Sequence, residues 1–143
     1  MEYIEEGVEE YLNGGGRFSD AAKWMWQALK DFHLLEYVHT DLSPKRFRIR
    51  ANQEIVLCGL RKSRKADASI SHTQAADPIF ISLDRHDHLA RQRDDLESFV
   101  YTLLHLLHAL PWSHLTHQGH LKQAKLAFLK SDGPHPTKSN QQA

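Results

Sequence analysis

One run decides most of what this chain can fold into: Leu96, Phe99, Val100, Leu103, Leu104, Leu106, Leu107 and Leu110 crowd the stretch between Asp94 and Pro111. The spacing is helical, yet the apolar side chains occupy more than one face. A surface helix carries a single apolar stripe, so a helix like this one is expected to be buried nearly all round. The remaining elements must wrap around it, and Pro111 is expected to end it.

A second long helix is predicted ahead of it. Ser19 stands where an N-cap belongs, and Asp20 suits the positive end of the helix dipole. Ala21, Met25, Ala28, Phe32 and Leu35 recur at spacings of four, three, four and three. Trp24, Leu29 and Tyr37 widen that stripe, which should run to Tyr37 or Val38. Proline interrupts the following His39-Thr-Asp-Leu-Ser-Pro44. Two short extended runs, Phe47 to Ile49 and Glu54 to Leu57, flank Ala51-Asn52-Gln53 and read as a hairpin. Residues 61 to 78 are polar and aperiodic, a loop ending near Pro78. A last helix is expected from Leu115 or His120 to Leu129. The tail from Ser131 is polar, with two prolines, and is expected to be disordered.

Composition narrows the class. A chain of 143 residues fits one domain, and 41% hydrophobic with 25% charged residues fits a globular one. Lysines and arginines (18) equal aspartates and glutamates (18), so no net charge draws the whole chain to nucleic acid or membrane. The lone Cys58 has no internal disulfide partner, which favours a reducing compartment. No apolar stretch approaches the ~20 residues that span a bilayer. An acidic start, where a secretory signal would be basic, argues against export. A cytoplasmic or nuclear domain without a membrane partner is expected.

Charge is distributed unevenly. Five glutamates fall within residues 1 to 10, ahead of the Gly14 to Gly16 loop. Residues 45 to 65 hold eight basic side chains (Lys45, Arg46, Arg48, Arg50, Arg61, Lys62, Arg64 and Lys65) against one acid, Glu54. Such a stretch suits an acidic or phosphorylated protein partner. Without interleaved aromatics it does not suit single-stranded nucleic acid. The 11 histidines include His105/His108 and His114/His117/His120 at three-residue spacing. Zinc could use such a set with a carboxylate or Cys58, but no His-Glu-x-x-His or cysteine pair accompanies it, so no metal site is expected. Trp24, Trp26 and Trp112 read as core or interface residues.

The segment Tyr37-Val-His-Thr-Asp-Leu-Ser-Pro-Lys-Arg-Phe-Arg-Ile49 resembles a protein-kinase catalytic loop, keeping its His-x-Asp skeleton as His39 and Asp41 with Pro44 in register. Met1-Glu-Tyr-Ile-Glu-Glu-Gly7 looks like the hinge between kinase lobes. Glu54-Ile-Val-Leu-Cys-Gly-Leu60 lies where a strand runs into Asp-Phe-Gly-Leu. Arg91-Gln-Arg-Asp-Asp-Leu-Glu-Ser-Phe-Val-Tyr101, followed by Leu110-Pro-Trp112, is similar to the casein kinase 1 family, which has the vaccinia-related kinases as relatives. The resemblance covers residues 1 to 129. It implies a mainly α fold, a truncated kinase-like C-lobe with a short β-hairpin at 47–57. Residues 1–16 would form a hinge-like segment and loop, 17–129 the partial C-lobe, and 130–143 a disordered tail.

The resemblance also implies what has been lost. Phosphoryl transfer needs nucleotide, metal and hydroxyl held in line with the charge neutralised. The family's glycine-rich loop and lysine lie before the hinge, where this sequence begins. Asp41 matches the residue that accepts the substrate hydroxyl proton. However, the family's following lysine is Ser43, its second metal ligand is Arg46 and its first is Leu57. Magnesium takes hard oxygen ligands, so hydrocarbon and guanidinium cannot replace them. The arginine that reads acidic substrates is Ile79. His39 and Asp95 match positions that support the loop.

Three functions remain. The first is a pseudokinase-type protein-binding module without cofactor, its partner a kinase or an acidic or phosphorylated protein, or a second copy docked through the leucine-rich helix. The second is a serine/threonine kinase using ATP and magnesium, completed by a separate N-lobe. The third is a fragment without selected function.

Overall fold

The computed structural model describes residues 5–50, 52, 54–65, 77–83 and 91–130. Met1 to Ile4, Ala51 and Gln53 of the hairpin connector, most of the loop before Pro78, Asp84 and the tail from Ser131 lie outside the described residues.

The acidic lead is not simply hinge and loop. Strand β1 (Glu5–Gly7) runs directly into helix α1 (Val8–Asn13). The Gly7 N–H donates to the Glu10 carboxylate at 2.9 Å, satisfying a donor that the helix start leaves open. Helix α2 (Phe18–Leu34) follows the glycine turn. Its N-cap is Arg17 rather than Ser19, and it stops short of Tyr37 because Glu36 takes a left-handed φ of 66°. Ala21, Met25 and Leu29 are fully buried, whereas Leu35, assigned to the same stripe from spacing, lies past the helix end and is exposed.

Tyr37–Val38 instead forms strand β2, paired antiparallel with β5 (Arg64–Lys65). A pairing strand therefore lies within the stretch read as loop. The expected hairpin forms between β3 (Phe47–Arg50) and β4 (Ile55–Leu57), with Phe47 opposite Leu57 and Ile49 opposite Ile55. β1 joins the other edge of β3, placing Glu5 in register with Arg50 and Gly7 with Arg48. Single 3₁₀ turns sit at Pro44–Arg46 and Leu60–Lys62. The fold is helix-rich with two small sheets, one more sheet than the sequence suggested.

Helix α3 (Gln92–Leu106) separates two apolar clusters. Phe99 and Leu106 pack with Met25, Leu29, Leu42 and Phe47 on one side. Tyr101 packs with Phe80, Leu110, Trp112 and Leu121 on the other. The helix is not buried all round: Leu96, Val100 and Leu107 are 39%, 48% and 51% exposed, while Asp94, Asp95, Ser98 and Thr102 point inward. Asp94 and Asp95 take inward places because loops pack there: Asp94 meets Ser82 and the Arg91 N–H, and Asp95 the backbone of 39–40. The helix also ends before Pro111, with Leu107 as C-cap and His108 at φ 58°. Helix α4 (Gln118–Lys130) buries Leu121 and Lys125 against the second cluster. Among the described residues no helix is long and apolar enough to cross a membrane.

Candidate functional site

The geometry of residues 38–46 is imposed from beneath by Asp95 on the first turn of α3. Its Oδ2 accepts the His39 N–H at 2.6 Å and its Oδ1 accepts the Thr40 N–H at 3.1 Å. Thr40 sits at φ 75°, a conformation costly for a β-branched residue and held here by that carboxylate. His33 Nε2 reaches the same Oδ2 at 2.8 Å. Gln92 Nε2 donates to the carbonyls of His33 and Tyr37, so α2, α3 and the loop share one polar junction.

His39 is fully buried, and its tautomer follows from its neighbours. Nδ1 accepts the Asp41 N–H at 3.1 Å, which leaves the ring proton on Nε2, donated to the Cys58 carbonyl at 2.9 Å. Burial lowers its pKa below the usual 6.5, an effect partly opposed by the hydrogen bond to Cys58. The neutral ring thereby ties the 39–41 loop to the end of β4.

Asp41 is 5% exposed, and Arg46 holds its carboxylate. The guanidinium Nη2 donates to Oδ2 at 2.5 Å and Nε donates to the Asp41 carbonyl at 3.3 Å. The Asp77 N–H approaches Oδ1 at 3.4 Å. Arg46 reaches this position by lying across Gly59. A β-carbon there would stand 2.7 Å from Arg46 Cδ, and Gly59 itself has φ 72°. Arg46 closes the arrangement by accepting the Cys58 N–H through its carbonyl at 2.7 Å. Leu57 packs against the first apolar cluster and offers no oxygen ligand from its side chain.

Ser43 is buried, and its hydroxyl makes no hydrogen bond to any group among the described residues. Together with Pro44, Lys45, Asp77, Ile79 and Phe80 it lines a cavity of about 230 Å³ beside the Asp41–Arg46 pair. The Ile79 N–H is taken by the Asp77 carboxylate at 3.1 Å and its carbonyl by Trp112 Nε1 at 2.9 Å. Ile79 is thus a structural member of the cavity wall.

The basic stretch is not one surface. Arg46 is turned inward, Arg50 lies 3.8 Å from Glu54, and Arg64 Nη1 donates to the Ser63 carbonyl. Arg48 and Arg50 belong to the central strand of a sheet, and Arg64 and Lys65 to the other sheet. Arg61 and Lys62 fall in the second 3₁₀ turn. Lys45, Arg61 and Lys65 are exposed. The His117 and His120 rings approach to 4.7 Å between centroids, and His105 Nε2 lies 4.0 Å from Glu9. Among the described residues no three His, Cys, Asp or Glu side chains gather as a metal site would need.

Two groups central to the site were not found by sequence reasoning. Asp77 has a legible signal, the Asp-Pro turn at 77–78. Lys125 has a weaker one, a position four residues after Leu121 on the inward face of α4. The chain matches no family model and no curated protein.

Proposed function

We propose that this chain is a protein-binding module on a kinase-like C-lobe in which an arginine fills the phosphotransfer centre. The observation that carries this reading is the Asp41–Arg46 pair. A general base must be free to accept a proton from a hydroxyl within hydrogen-bond reach. Here the carboxylate is buried and engaged by a guanidinium, and the positions corresponding to metal ligands hold Arg46 and Leu57. A divalent cation brought by a nucleotide would meet like charge and hydrocarbon. The loop architecture around Asp95 and His39 supports a scaffold whose shape is kept while its reacting groups are occupied.

The surface offered to a protein partner is the outer face of α3. Leu96, Val100 and Leu107 are large, exposed and separated by four and seven residues, so they share one side of the helix and its end. Trp26 on α2 is a separate exposed apolar group, its ring 5.7 Å from Phe99 on the inward side of α3. The deciding experiment is a melting curve with and without ATP and magnesium, together with an assay for phosphate transfer to protein. No stabilisation and no transfer are expected, since a ligand that binds the native state must raise its melting temperature. Stabilisation by the nucleotide, or transfer abolished by Asp41→Ala, would instead favour a serine/threonine kinase completed by a separate N-lobe.

A further inference from the structure

The turn from Asp77 to Ile81 is held mainly from outside itself. Internally the Asp77 carbonyl accepts the N–H groups of Phe80 and Ile81 at 3.1 and 3.3 Å. Externally Lys125 Nζ donates to the Pro78 carbonyl at 2.6 Å and to the Ile81 carbonyl at 2.7 Å. Trp112 Nε1 takes the Ile79 carbonyl between them. Three acceptors of a turn that could otherwise face water, the carbonyls of Pro78, Ile79 and Ile81, are therefore engaged by residues at least 30 positions later in the chain.

Lys125 is an unusual choice for this work. Its side chain is fully buried, with the ammonium 5.6 Å from the Tyr101 ring centroid and 6.0 Å from that of Trp112. Burying a charge is costly unless its donors are satisfied, and the aromatic faces recover part of that cost. Packing alone would not call for a lysine. Leu121, Ala124 and Phe128 already supply the apolar face of α4, and a methionine would fill similar volume.

We infer that Lys125 is a positioning residue, a latch by which α4 holds the 77–81 turn and so sets one wall of the cavity beside Asp41. Asp77, Ile79 and Phe80, which line the cavity, all belong to the latched turn, whereas Ser43 and Pro44 belong to the loop supported by Asp95, and Glu9 and His105 complete the lining from α1 and α3. The two sides meet where the Asp77 N–H approaches Asp41 Oδ1 at 3.4 Å, but the carbonyls of Pro78, Ile79 and Ile81 are held by Lys125 and Trp112. Detaching Lys125 releases the Pro78 and Ile81 carbonyls and leaves the contacts of Asp95 with the 39–40 loop in place. This holds whatever the cleft accepts, and it stands or falls separately from the absence of nucleotide binding.

The test is amide hydrogen exchange on the full chain and on Lys125→Met, which keeps the stem length and removes the donors. Exchange at Phe80 and Ile81 is expected to rise about tenfold or more, while amides of α2 and β3 keep their rates. Unchanged exchange at Phe80 and Ile81 would overturn the latch. A uniform rise across all amides would also overturn it, because the lysine would then support the whole fold rather than the turn. Should the variant fail to fold, pulsed amine acylation of the unmodified chain decides the matter. Lys125 should become reactive at the opening rate that governs exchange at Phe80 and Ile81, within about threefold. Rates differing by about tenfold in either direction would show turn and lysine moving independently, and would sink the proposal.

Discussion

Arg46 changes the meaning of the residues around it. With its guanidinium across Gly59 and against Asp41, a carboxylate that could have served as a base becomes half of an ion pair. Arg46→Ala leaves that carboxylate buried without this partner. The expected cost is about 1–3 kcal/mol in urea unfolding, with no gain of nucleotide binding in return. Gly59→Ala should mimic part of this, because its β-carbon would displace the arginine and its φ would be strained. Asp95 holds two backbone N–H groups and His33, so Asp95→Asn places an amide donor against other donors. That change is expected to cost about 2–4 kcal/mol by the same measurement. His39, Asp41 and Asp95 were singled out in the sequence by the resemblance of two separate segments to kinase motifs, and the fold brings those segments together. The Arg46–Asp41 pair was not, since a residue-by-residue comparison with a motif registers a different residue type and does not reveal what that residue touches.

At the level of elements, α3 separates what periodicity can and cannot supply. Its helical spacing was readable, but the eight apolar side chains gave no indication that Leu96 and Val100 would face outward while Asp95, Ser98 and Thr102 faced inward. Asp95 meets the backbone N–H groups of His39 and Thr40, and such a contact leaves no periodic trace. Two substitutions distinguish the faces. Leu106→Ala removes a side chain from the first cluster and should cost about 2–4 kcal/mol, whereas Val100→Glu should change stability by about 0.5 kcal/mol or less. If the outer face docks a partner, Val100→Glu should also reduce association measured by sedimentation or capture. Helix ends were misjudged for a related reason. Pro111 and Tyr37 mark where helices can no longer continue, but left-handed residues at His108 and Glu36 end them earlier. His108→Gly relieves that conformation and is expected to stabilise by about 0.5–1 kcal/mol in thermal unfolding. The β3–β4 hairpin and α4 were recovered because alternation and spacing there agree with burial on one side.

For the molecule as a whole, two buried titratable groups on opposite sides of α3 shape the response to pH. His39 has its pKa lowered by burial, so below about 6.5 the unfolded chain binds a proton that the folded chain refuses, and stability falls with falling pH. Lys125 is shifted in the same direction, from 10.5 to about 8, again mainly by burial. Between these values the unfolded chain still carries the proton and the folded chain has released it, so stability rises with pH over that interval. Tyr101 opposes this at the upper end. Burial and the hydrogen bond to Glu97 raise its phenol above the usual 10, so above that pH the unfolded chain ionises first and stability declines. The stability curve from urea titrations should therefore climb between about pH 8 and 10 and turn downward beyond. Lys125→Met should abolish the climb while leaving the acid limb set by His39. A flat curve over that interval in the unmodified chain would mean that the ammonium is hydrated in the native state, and the junction between α4 and the 77–81 turn would then be open rather than closed.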